Sequence, residues 1–321
     1  MDDSLLFFKS DKPNKEKLYK ILFTGLDGAG KSSIILALRR EYSKIALITP
    51  TKGVQRTNFI MLGREINEWD LGGQKLYLIS YLKNPSKYFD GTAIAIYVID
   101  ILDDSRLHES LSYLNDVVDK FKELKINPPI NIFFHKHDPK LNITIKTIID
   151  KRIDELQKEI EEKVNYKKIH FFSTSIYDPY TIMNAMSIIL LELYPKSELV
   201  QKTIEEFAKK LNCHGLLVVD KNSIIIGSHF KDKDSNILLS KTIGYFLNLN
   251  DSFIEMGLED QKDQIIVRKL KNYFLFKPLI LDDGMNQYYV LVLKKDNPFD
   301  LYFINKDFLT FTNMLKNIIE N

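Results

Sequence analysis

The sequence is poor in cysteine, in glycine and proline, and in long apolar stretches. Its one cysteine, Cys213, excludes an intramolecular disulfide bond and a zinc site built from several cysteines. Such sparse use of cysteine is typical of the reducing cytoplasm, which is the location we expect. The 13 glycines and 10 prolines exclude collagen-like and low-complexity classes. The longest apolar stretch, residues 92–99, suits a buried strand and falls short of the ~20 residues that a membrane-spanning helix needs.

Charge of one sign is not in surplus either. The chain has 45 Lys and Arg against 43 Asp and Glu, which gives a net charge of +2. A dedicated nucleic-acid binder or a polybasic membrane protein would carry a clear basic surplus, so we expect neither. The sequence also lacks the glycine after Met1 that myristoylation requires and a prenylation cysteine near Asn321. We therefore expect peripheral membrane association, if any, only through a partner.

The first part of the chain alternates strands with helices. The 321 residues, 45% of them hydrophobic, are enough for about two domains with sizeable cores. Alternation of this kind predicts an α/β domain with a mostly parallel, six-stranded sheet and helices on both faces. The predicted strands are 18–24, 57–62, 65–70, 93–100, 130–134 and 169–172, with a tight hairpin at Gly63-Arg64. The predicted helices are 31–42, 105–124, 145–164 and 181–194.

After Tyr194 the order of elements changes. Pro195 ends the preceding helix, and hairpin-linked strands flanked by helices follow, which predicts an antiparallel sheet in an α+β domain. We therefore predict one domain over residues 1–195 and a second over 196–321. The predicted helices of the second are 198–211, 236–247 and 299–319, and its strands are 216–220, 223–229, 253–258, 265–270, 273–281 and 288–294.

A glycine-rich loop follows the first predicted strand. Residues 25–32 read G-L-D-G-A-G-K-S, which fits the phosphate-binding pattern G-x-x-x-x-G-K-[S/T] between a strand and a helix. We expect Lys31 to reach the β- and γ-phosphates of a nucleotide and the Ser32 hydroxyl to bind Mg²⁺. The competing interpretation, a glycine-rich turn without a ligand, is disfavoured by this context. The expected nucleotide-binding residues here are Asp27, Gly28, Ala29, Gly30, Lys31, Ser32 and Ser33.

Two later segments supply groups suited to a γ-phosphate and its metal ion. Asp70 follows a hairpin strand and is expected to hold Mg²⁺ opposite Ser32, while Gly73 offers an unobstructed backbone N–H. Gln74 is the expected catalytic residue, because a glutamine here can orient the attacking water. Thr51 is expected to complete the Mg²⁺ shell when the γ-phosphate is present, with Thr49 and Thr57 as the competing choices.

The base-binding residues point to guanine. Asp138 would accept hydrogen bonds from guanine N1 and N2 while the Lys136 stem packs on the base, and adenine presents the wrong donors there. Position 135 is a histidine, where the usual pattern N/T-K-x-D has asparagine or threonine. In the next loop, the backbone N–H of Ile176, which follows Ser175, can meet guanine O6. The nucleotide binders expected here are His135, Lys136, Asp138, Ser175 and Ile176.

Hydrolysis is expected to be slow without help. Residues 45–50, which precede Thr51, contain no arginine, so we expect no arginine finger in cis and an activating protein that supplies one in trans. A hydrolysis-deficient scaffold locked on its nucleotide is the alternative. A P-loop kinase or ATPase is disfavoured by Lys136 and Asp138.

These motifs resemble those of Ras-like small GTPases. Residues 25–33, Pro50-Thr51-x-Gly53 and Trp69-Asp70-x-Gly72-Gly73-Gln74 are similar to the Arf branch. His135-Lys136-His137-Asp138 and residues 174–178 resemble the Rag (Gtr) family instead. Arf proteins end with the GTPase domain, whereas Rag proteins continue into a roadblock, or longin-like, domain with the element order predicted above. An Arf-like trafficking GTPase fused to a roadblock domain is the alternative.

The resemblance implies a GTP/GDP switch that dimerises through its roadblock domain. The implied partners are a second copy or a paralogous Rag-like GTPase, a roadblock-containing scaffold and a GTPase-activating protein. The last predicted helix is unusually apolar for a domain of this size, so we expect part of it to face a partner, the alternative being that all of it is core. Its apolar residues are Leu301, Phe303, Ile304, Phe308, Leu309, Phe311 and Met314.

Overall fold

The computed structural model describes residues 18–62, 64–258, 264–281, 287–299 and 301–320, with the backbone alone for 301–305 and 320. The first part of the chain forms a six-stranded sheet with the strand order β2-β3-β1-β4-β5-β6. Its strands are β1 Tyr19–Thr24, β2 Val54–Met61, β3 Arg64–Leu71, β4 Thr92–Asp100, β5 Ile130–His135 and β6 Ile169–Thr174. Its helices are α1 Lys31–Leu38, α2 Tyr42–Ile45, α3 Lys75–Lys83, α4 Pro85–Tyr88, α5 Leu107–Glu123, α6 Ile143–Lys163 and α7 Pro179–Leu191.

The order of strands explains where a ligand can bind. Strand β1 pairs in parallel with both β3 and β4, so the sheet extends to either side of β1. Only β2 runs antiparallel, as the hairpin partner of β3. The crevice outside the carboxyl ends of the strands at such a switch point is the common ligand site of open α/β sheets. The loops after β1, β3, β4, β5 and β6 all open there.

Alternating side chains on the central strands fill a core on each face of this sheet. Ile21 and Phe23 of β1 pack with α1 and α7 in one cluster. Leu22, between them in sequence, points to the other face and packs in a second cluster with α3, α5 and α6. Both faces of β4 are buried, which is why its sequence is nearly all aliphatic.

The second part of the chain forms a five-stranded antiparallel sheet with the order β8-β7-β11-β10-β9. Its strands are β7 Gly215–Asp220, β8 Ile225–Phe230, β9 Ile265–Lys269, β10 Asn272–Leu279 and β11 Tyr288–Lys295. Its helices are α8 Ser197–Lys210, α9 Lys233–Glu255 and α10 Leu301–Glu320. Helices α8 and α10 cover one face of the sheet, and α9 covers the other.

The predicted fold class is confirmed. One sheet is mostly parallel with helices on both faces, and the other is antiparallel within an α+β layer. One predicted strand is wrong, since α9 continues through residues 253–255 and ends only at Glu255. Helix α3 was not predicted, and Gly63 of the predicted hairpin turn lies outside the described residues.

The two halves share a hydrophobic core. The apolar face of α7 packs in one cluster with α8 and with the second sheet. The backbone N–H of Leu62, at the tip of the β2–β3 hairpin, donates to the Tyr288 hydroxyl of β11 at 3.1 Å. Arg40, after α1, forms an ion pair with Asp251 of α9. The domain boundary near residue 195 stays a prediction.

Within the described ranges no helix has the length and apolar character to cross a membrane.

Candidate functional site

The glycine-rich loop of residues 25–30 joins β1 to α1 at the carboxyl edge of the sheet. Gly25, Gly28 and Gly30 all have positive φ angles, of 132°, 74° and 99°. Gly30 also permits a close approach, since a Cβ there would lie 2.5 Å from Cδ2 of the His135 ring. The segment therefore has the curled backbone expected of a phosphate nest, with the amino end of α1 directly behind it.

The side chain of Lys31 folds back over this loop. Its ammonium group donates to the carbonyl oxygens of Gly25 at 2.9 Å and Leu26 at 2.8 Å. Burial lowers the pKa of Lys31 to about 8, an effect opposed by the charges of Asp70 and Asp27 and reinforced by that of Arg106. The ammonium is thus held over the nest, where phosphate oxygens could replace the two carbonyls as acceptors.

Three oxygen-bearing side chains converge beside Lys31. The Ser32 hydroxyl lies 2.5 Å from Asp70 Oδ2 and 2.8 Å from the Thr51 hydroxyl, and Thr51 Oγ1 donates to Asp70 Oδ2 at 3.3 Å. The other carboxylate oxygen, Asp70 Oδ1, is buried without a hydrogen-bond partner among the described residues. Burial raises the pKa of Asp70, and the hydrogen bond from Ser32 opposes this rise.

This cluster fits Mg²⁺. The ion prefers hard oxygen ligands and is commonly held by one or two protein groups together with phosphates and water. An unpaired buried carboxylate oxygen is costly, and a cation would satisfy it. Ser32, Thr51 and Asp70 are the residues that would hold it. No cluster of three or more His, Cys, Asp or Glu suited to a metal ion occurs in the described part of the chain.

The loop after β3 rests directly on the glycine loop. The carbonyl of Gly73 accepts a hydrogen bond from the Asp27 N–H at 3.1 Å, and a Cβ on Gly73 would lie 2.2 Å from that nitrogen. Gly72 N–H donates to the Gly53 carbonyl at 2.8 Å, which joins this loop to the Thr51 segment. Gln74 directly precedes α3 in an extended conformation, half-buried and with no side-chain hydrogen bond within the described ranges.

His135 bridges the glycine loop and β6. Its imidazole is buried against Gly30, and Nδ1 lies 2.9 Å from the Thr174 hydroxyl. Burial lowers the pKa of His135 to about 3, with a further contribution from the Lys136 charge, so the ring is neutral near pH 7. A neutral imidazole that is hydrogen-bonded to Thr174 therefore occupies the position where the usual pattern has an amide or a hydroxyl.

The residues predicted to read the base gather at the ends of β5 and β6. Lys136 has a positive φ of 68°, and its ammonium lies 2.5 Å from Asp100 Oδ2 at the end of β4. The Ser175 hydroxyl donates to Asp138 Oδ1 at 2.5 Å and accepts from the Tyr177 N–H at 3.0 Å. Ile176 packs against the core cluster of α1 and α7. The Lys136 ammonium therefore lies toward the end of β4 and the Asp138 carboxylate toward the loop after β6, both at the carboxyl edge of the sheet.

The predicted site residues fall into two adjoining groups at the same sheet edge. The phosphate group is Asp27, Gly28, Ala29, Gly30, Lys31, Ser32, Ser33, Thr51, Asp70, Gly73 and Gln74, and the base group is His135, Lys136, Asp138, Ser175 and Ile176. Of the three threonines considered, Thr51 is the one hydrogen-bonded to Ser32 and Asp70. The role of each of these residues in nucleotide binding remains a prediction.

Sequence reasoning missed Arg106. It is the last residue of a single 3₁₀ turn before α5, and its guanidinium contacts both the carbonyl and the carboxylate of Asp27. A signal was available, because residues 100–106 follow a buried strand whose carboxyl end opens into the same crevice.

The chain matches one protein family and shows likeness to several Arf-like proteins. Residues 20–244 match the Gtr1/RagA G protein conserved region. The chain is 40% identical over 124 residues to ADP-ribosylation factor-like protein 3 of Chlamydomonas reinhardtii, covering 39% of this chain and 66% of that protein. It is 38% identical over 104 residues to ADP-ribosylation factor-like protein alp41 of Schizosaccharomyces pombe, covering 32% and 53%. The matched segment is thus less than two thirds of either relative's length.

Among solved structures, the Arl6 BBS3 small GTPase from Trypanosoma brucei, with bound nucleotide analogue GppNp, aligns with a TM-score of 0.41 and 20% identity. The alignment covers 55% of this chain and 96% of that one.

The family match includes both groups of site residues. It begins in β1, takes in the glycine loop and the loops after β3, β5 and β6, and runs beyond the six-stranded sheet into α9. Most of the chain is therefore covered, including the first part of the α+β layer. The chain belongs to the Gtr1/RagA family of Rag- and Arf-like small GTPases.

Proposed function

We propose that this protein is a switch that binds GTP and GDP with Mg²⁺ and hydrolyses GTP slowly. The observation that carries the proposal is the meeting of Ser32, Thr51 and Asp70 beside Lys31, with one buried carboxylate oxygen left for a cation. Because Thr51 and Gly73 lie on separate loops, a γ-phosphate that drew both inward would order both loops at once. Loss of that phosphate would release them.

Guanine is the proposed base. Asp138 carries an acceptor-only carboxylate, which would pair with guanine N1–H and N2–H₂. The purified chain should release GDP or GTP on denaturation, and ATP should not displace a fluorescent GDP analogue at comparable concentration. Equal displacement by ATP and GTP would contradict this proposal.

Asp138→Asn tests which group reads the base. The amide offers a donor where guanine also has donors, so the variant should lose at least about tenfold in GDP affinity. It should gain xanthosine diphosphate, whose oxygen at position 2 accepts from the amide. Competition between the two diphosphates measures the change. Asp150→Asn serves as the control, because Asp150 lies on α6 and pairs with His137 rather than with Asp138. A variant that kept its guanine preference would remove Asp138 from base recognition.

Association through the second part of the chain is the second element of the proposal. The face of α9 turned away from the sheet exposes Tyr245, Leu249, Phe253 and Met256, and β9 leaves one edge of the sheet unpaired within the described residues. Apolar helix faces beside a free strand edge are typical of pairing surfaces. We propose a dimer with a second copy or a paralogous Rag-like GTPase.

The remaining partners follow from the same proposal. A roadblock-containing scaffold would add to the assembly and would carry the protein to a membrane, with the bulk of it cytoplasmic. An activating protein would supply an arginine in trans, because Arg106 is engaged by Asp27 and Glu109. A purified full-length chain whose GTP hydrolysis is already fast, well above roughly 10⁻² per second, would contradict the need for such a protein.

A further inference from the structure

Arg106 reaches the glycine loop from a different part of the sheet edge. Its Nη2 lies 2.9 Å from Asp27 Oδ1, and its Nη1 donates to the Asp27 carbonyl at 3.2 Å. Its Nε donates to Oε2 of Glu109, in the first turn of α5, at 2.8 Å. The two carboxylates raise the pKa of Arg106 further above its usual value, so the guanidinium is always charged. Glu109 thereby fixes the orientation of the planar guanidinium group, which contacts one residue of the glycine loop, Asp27.

Asp27 is also the point where the loop after β3 rests on the glycine loop. Its N–H donates to the Gly73 carbonyl at 3.1 Å, and the preceding carbonyl, of Leu26, accepts from Lys31 at 2.8 Å. Asp27 is therefore held by Arg106 through its carbonyl and carboxylate, and by Gly73 through its N–H. Backbone N–H groups of such loops are the donors that phosphates use. A phosphate oxygen and the Gly73 carbonyl would compete for this N–H.

The charge of Asp27 matters for the same reason. Asp27 is an exposed carboxylate in a loop that has to receive polyphosphate, and its negative charge would repel a nucleotide. Arg106 offsets that charge at 2.9 Å. A triphosphate carries more negative charge than a diphosphate and places it closer to Gly73. The cost of an unpaired Asp27 would therefore fall mainly on GTP.

We propose that Arg106 is a positioning residue for the γ-phosphate: by neutralising Asp27 and fixing its peptide against Gly73, it sets how strongly the protein prefers a triphosphate over a diphosphate. The inference rests on the proposed function and deepens it. Arg106 acts through Asp27 and is distinct from an arginine finger supplied in trans.

The experiment compares dissociation constants of the full-length chain for fluorescently labelled GDP and for the labelled non-hydrolysable analogue GppNHp, at fixed Mg²⁺ and salt. For Arg106→Gln we expect the GppNHp constant to rise about tenfold and the GDP constant to change by less than about threefold. Arg106→Lys keeps the charge but loses the fork, and should lie between Arg106→Gln and the wild type. Circular dichroism and thermal unfolding establish that each variant is folded.

A double variant tests whether Arg106 acts by neutralising the charge of Asp27. In Asp27→Asn/Arg106→Gln the repelling carboxylate is gone, so the GppNHp-to-GDP ratio should return to within about threefold of the wild-type ratio. Arg152→Gln is the matched control, because Arg152 donates to the Ile101 carbonyl and pairs with Asp104 in the same loop without touching the glycine loop. Its ratio should equal that of the wild type.

Three results would overturn the inference: an unchanged ratio in Arg106→Gln, no recovery in the double variant, or an equal shift in Arg152→Gln. Wild-type protein that binds neither nucleotide would overturn the proposed function, and this inference with it. Wild-type binding together with any of the three results removes the inference alone.

Discussion

The imidazole of His135 lies between the glycine loop and β6, in a space too apolar for a charged ring. Because burial lowers its pKa in the folded state to about 3, the unfolded chain takes up a proton first as the pH falls. Unfolding is then favoured progressively from about pH 6.5, the ordinary value for histidine, down toward the folded-state value. Stability from the neutral ring is fully present above pH 6.5 and is lost below it.

His135→Asn tests this at the level of the single residue. The amide can keep a hydrogen bond to Thr174 but does not titrate. Between pH 7.5 and pH 5 the wild-type chain should lose roughly 2 kcal/mol of unfolding free energy relative to the variant. Urea unfolding of both proteins across this range measures the difference.

The comparison with the variant is needed because other buried groups titrate in the opposite sense. Burial raises the pKa of Glu68 to about 7 and that of Asp220 to about 6, so their protonation favours the folded state as the pH falls. Their contributions are common to both proteins and cancel. If the unfolding free energies of the wild type and the variant changed in parallel with pH, His135 would not be a buried neutral imidazole with a lowered pKa.

Gln74→Leu addresses the catalytic residue. The leucine cannot orient a water molecule, so single-turnover GTP hydrolysis should slow by at least about tenfold from a wild-type rate of roughly 10⁻⁴ to 10⁻² per second. Affinity for GDP should be nearly unchanged, because the Gln74 side chain has no hydrogen bond within the described ranges. Lys75→Ala, on the next residue, is the control. Hydrolysis by Gln74→Leu at the wild-type rate would assign water activation to another group.

At this scale the sequence predicted residues carried by a spaced motif and missed the one that was not. The sequence predicted that one site contains Lys31, Ser32 and Asp70, because each of them follows a strand at a known offset from the glycine loop. Thr51 was the preferred choice from the sequence, and the structure distinguishes it from Thr49 and Thr57 by its hydrogen bonds to Ser32 and Asp70. Arg106 belongs to no motif, and its contact with Asp27 depends on how α5 is placed against β1.

At the scale of elements, the end of α9 shows what local pattern could not predict. Residues 253–258 contain apolar side chains at spacings that suit a strand, yet the helix continues to Glu255. Gly257 follows the helix end by two residues; its φ is 73°, and its N–H returns to the Ile254 carbonyl at 2.9 Å. The stop signal was a single glycine, which helices commonly use after their last turn. The central strands, in contrast, were predictable because burial on both faces makes them uniformly aliphatic.

Two glycines near this helix make a matched test. Gly257→Ala puts a side chain on a left-handed residue and should cost about 1 kcal/mol of unfolding free energy. Gly244→Ala lies inside α9, and neither position has an atom within 4 Å of the added Cβ. Gly244→Ala should therefore stabilise the protein by about 0.5–1 kcal/mol. Urea midpoints of the two variants should move in opposite directions, and equal shifts would contradict the proposed helix end.

At the scale of the whole molecule, the two sheets share a core that the sequence did not predict. The cluster containing Ile182, Met186 and Ile189 of α7 continues into Val200 and Ile204 of α8. Removal of the second part of the chain would thus uncover an apolar face of the first. Amphipathic patterns identify which residues are buried but do not state against which element, so this joint could not be derived from periodicity.

The same limit applies to the last helix. Phe308 and Phe311 of α10 are buried, and Phe311 stacks on Phe207 of α8 with ring centroids 4.0 Å apart. Leu309 and Met314 are exposed, and the side chains of Leu301, Phe303 and Ile304 lie outside the described residues. The aromatic content of α10 that suggested a partner surface is thus, where described, largely core. The stronger apolar surface is on α9, across the sheet.

Dimerisation is therefore best tested on α9 in the full-length chain. Leu249 is part of its exposed apolar stripe, next in line to Tyr245, which is 75% exposed. Leu249→Glu would bury a charge in the proposed interface and should weaken a homodimer at least about tenfold. Leu309→Glu is the control, because Leu309 is 65% exposed on α10, which covers the opposite face of the sheet. Light scattering over a concentration series should show the wild type and the control dimeric while Leu249→Glu dissociates. If the full-length chain stays monomeric at every concentration and binds no paralogous GTPase, the exposed face of α9 is an ordinary solvated surface and the proposed pairing is wrong.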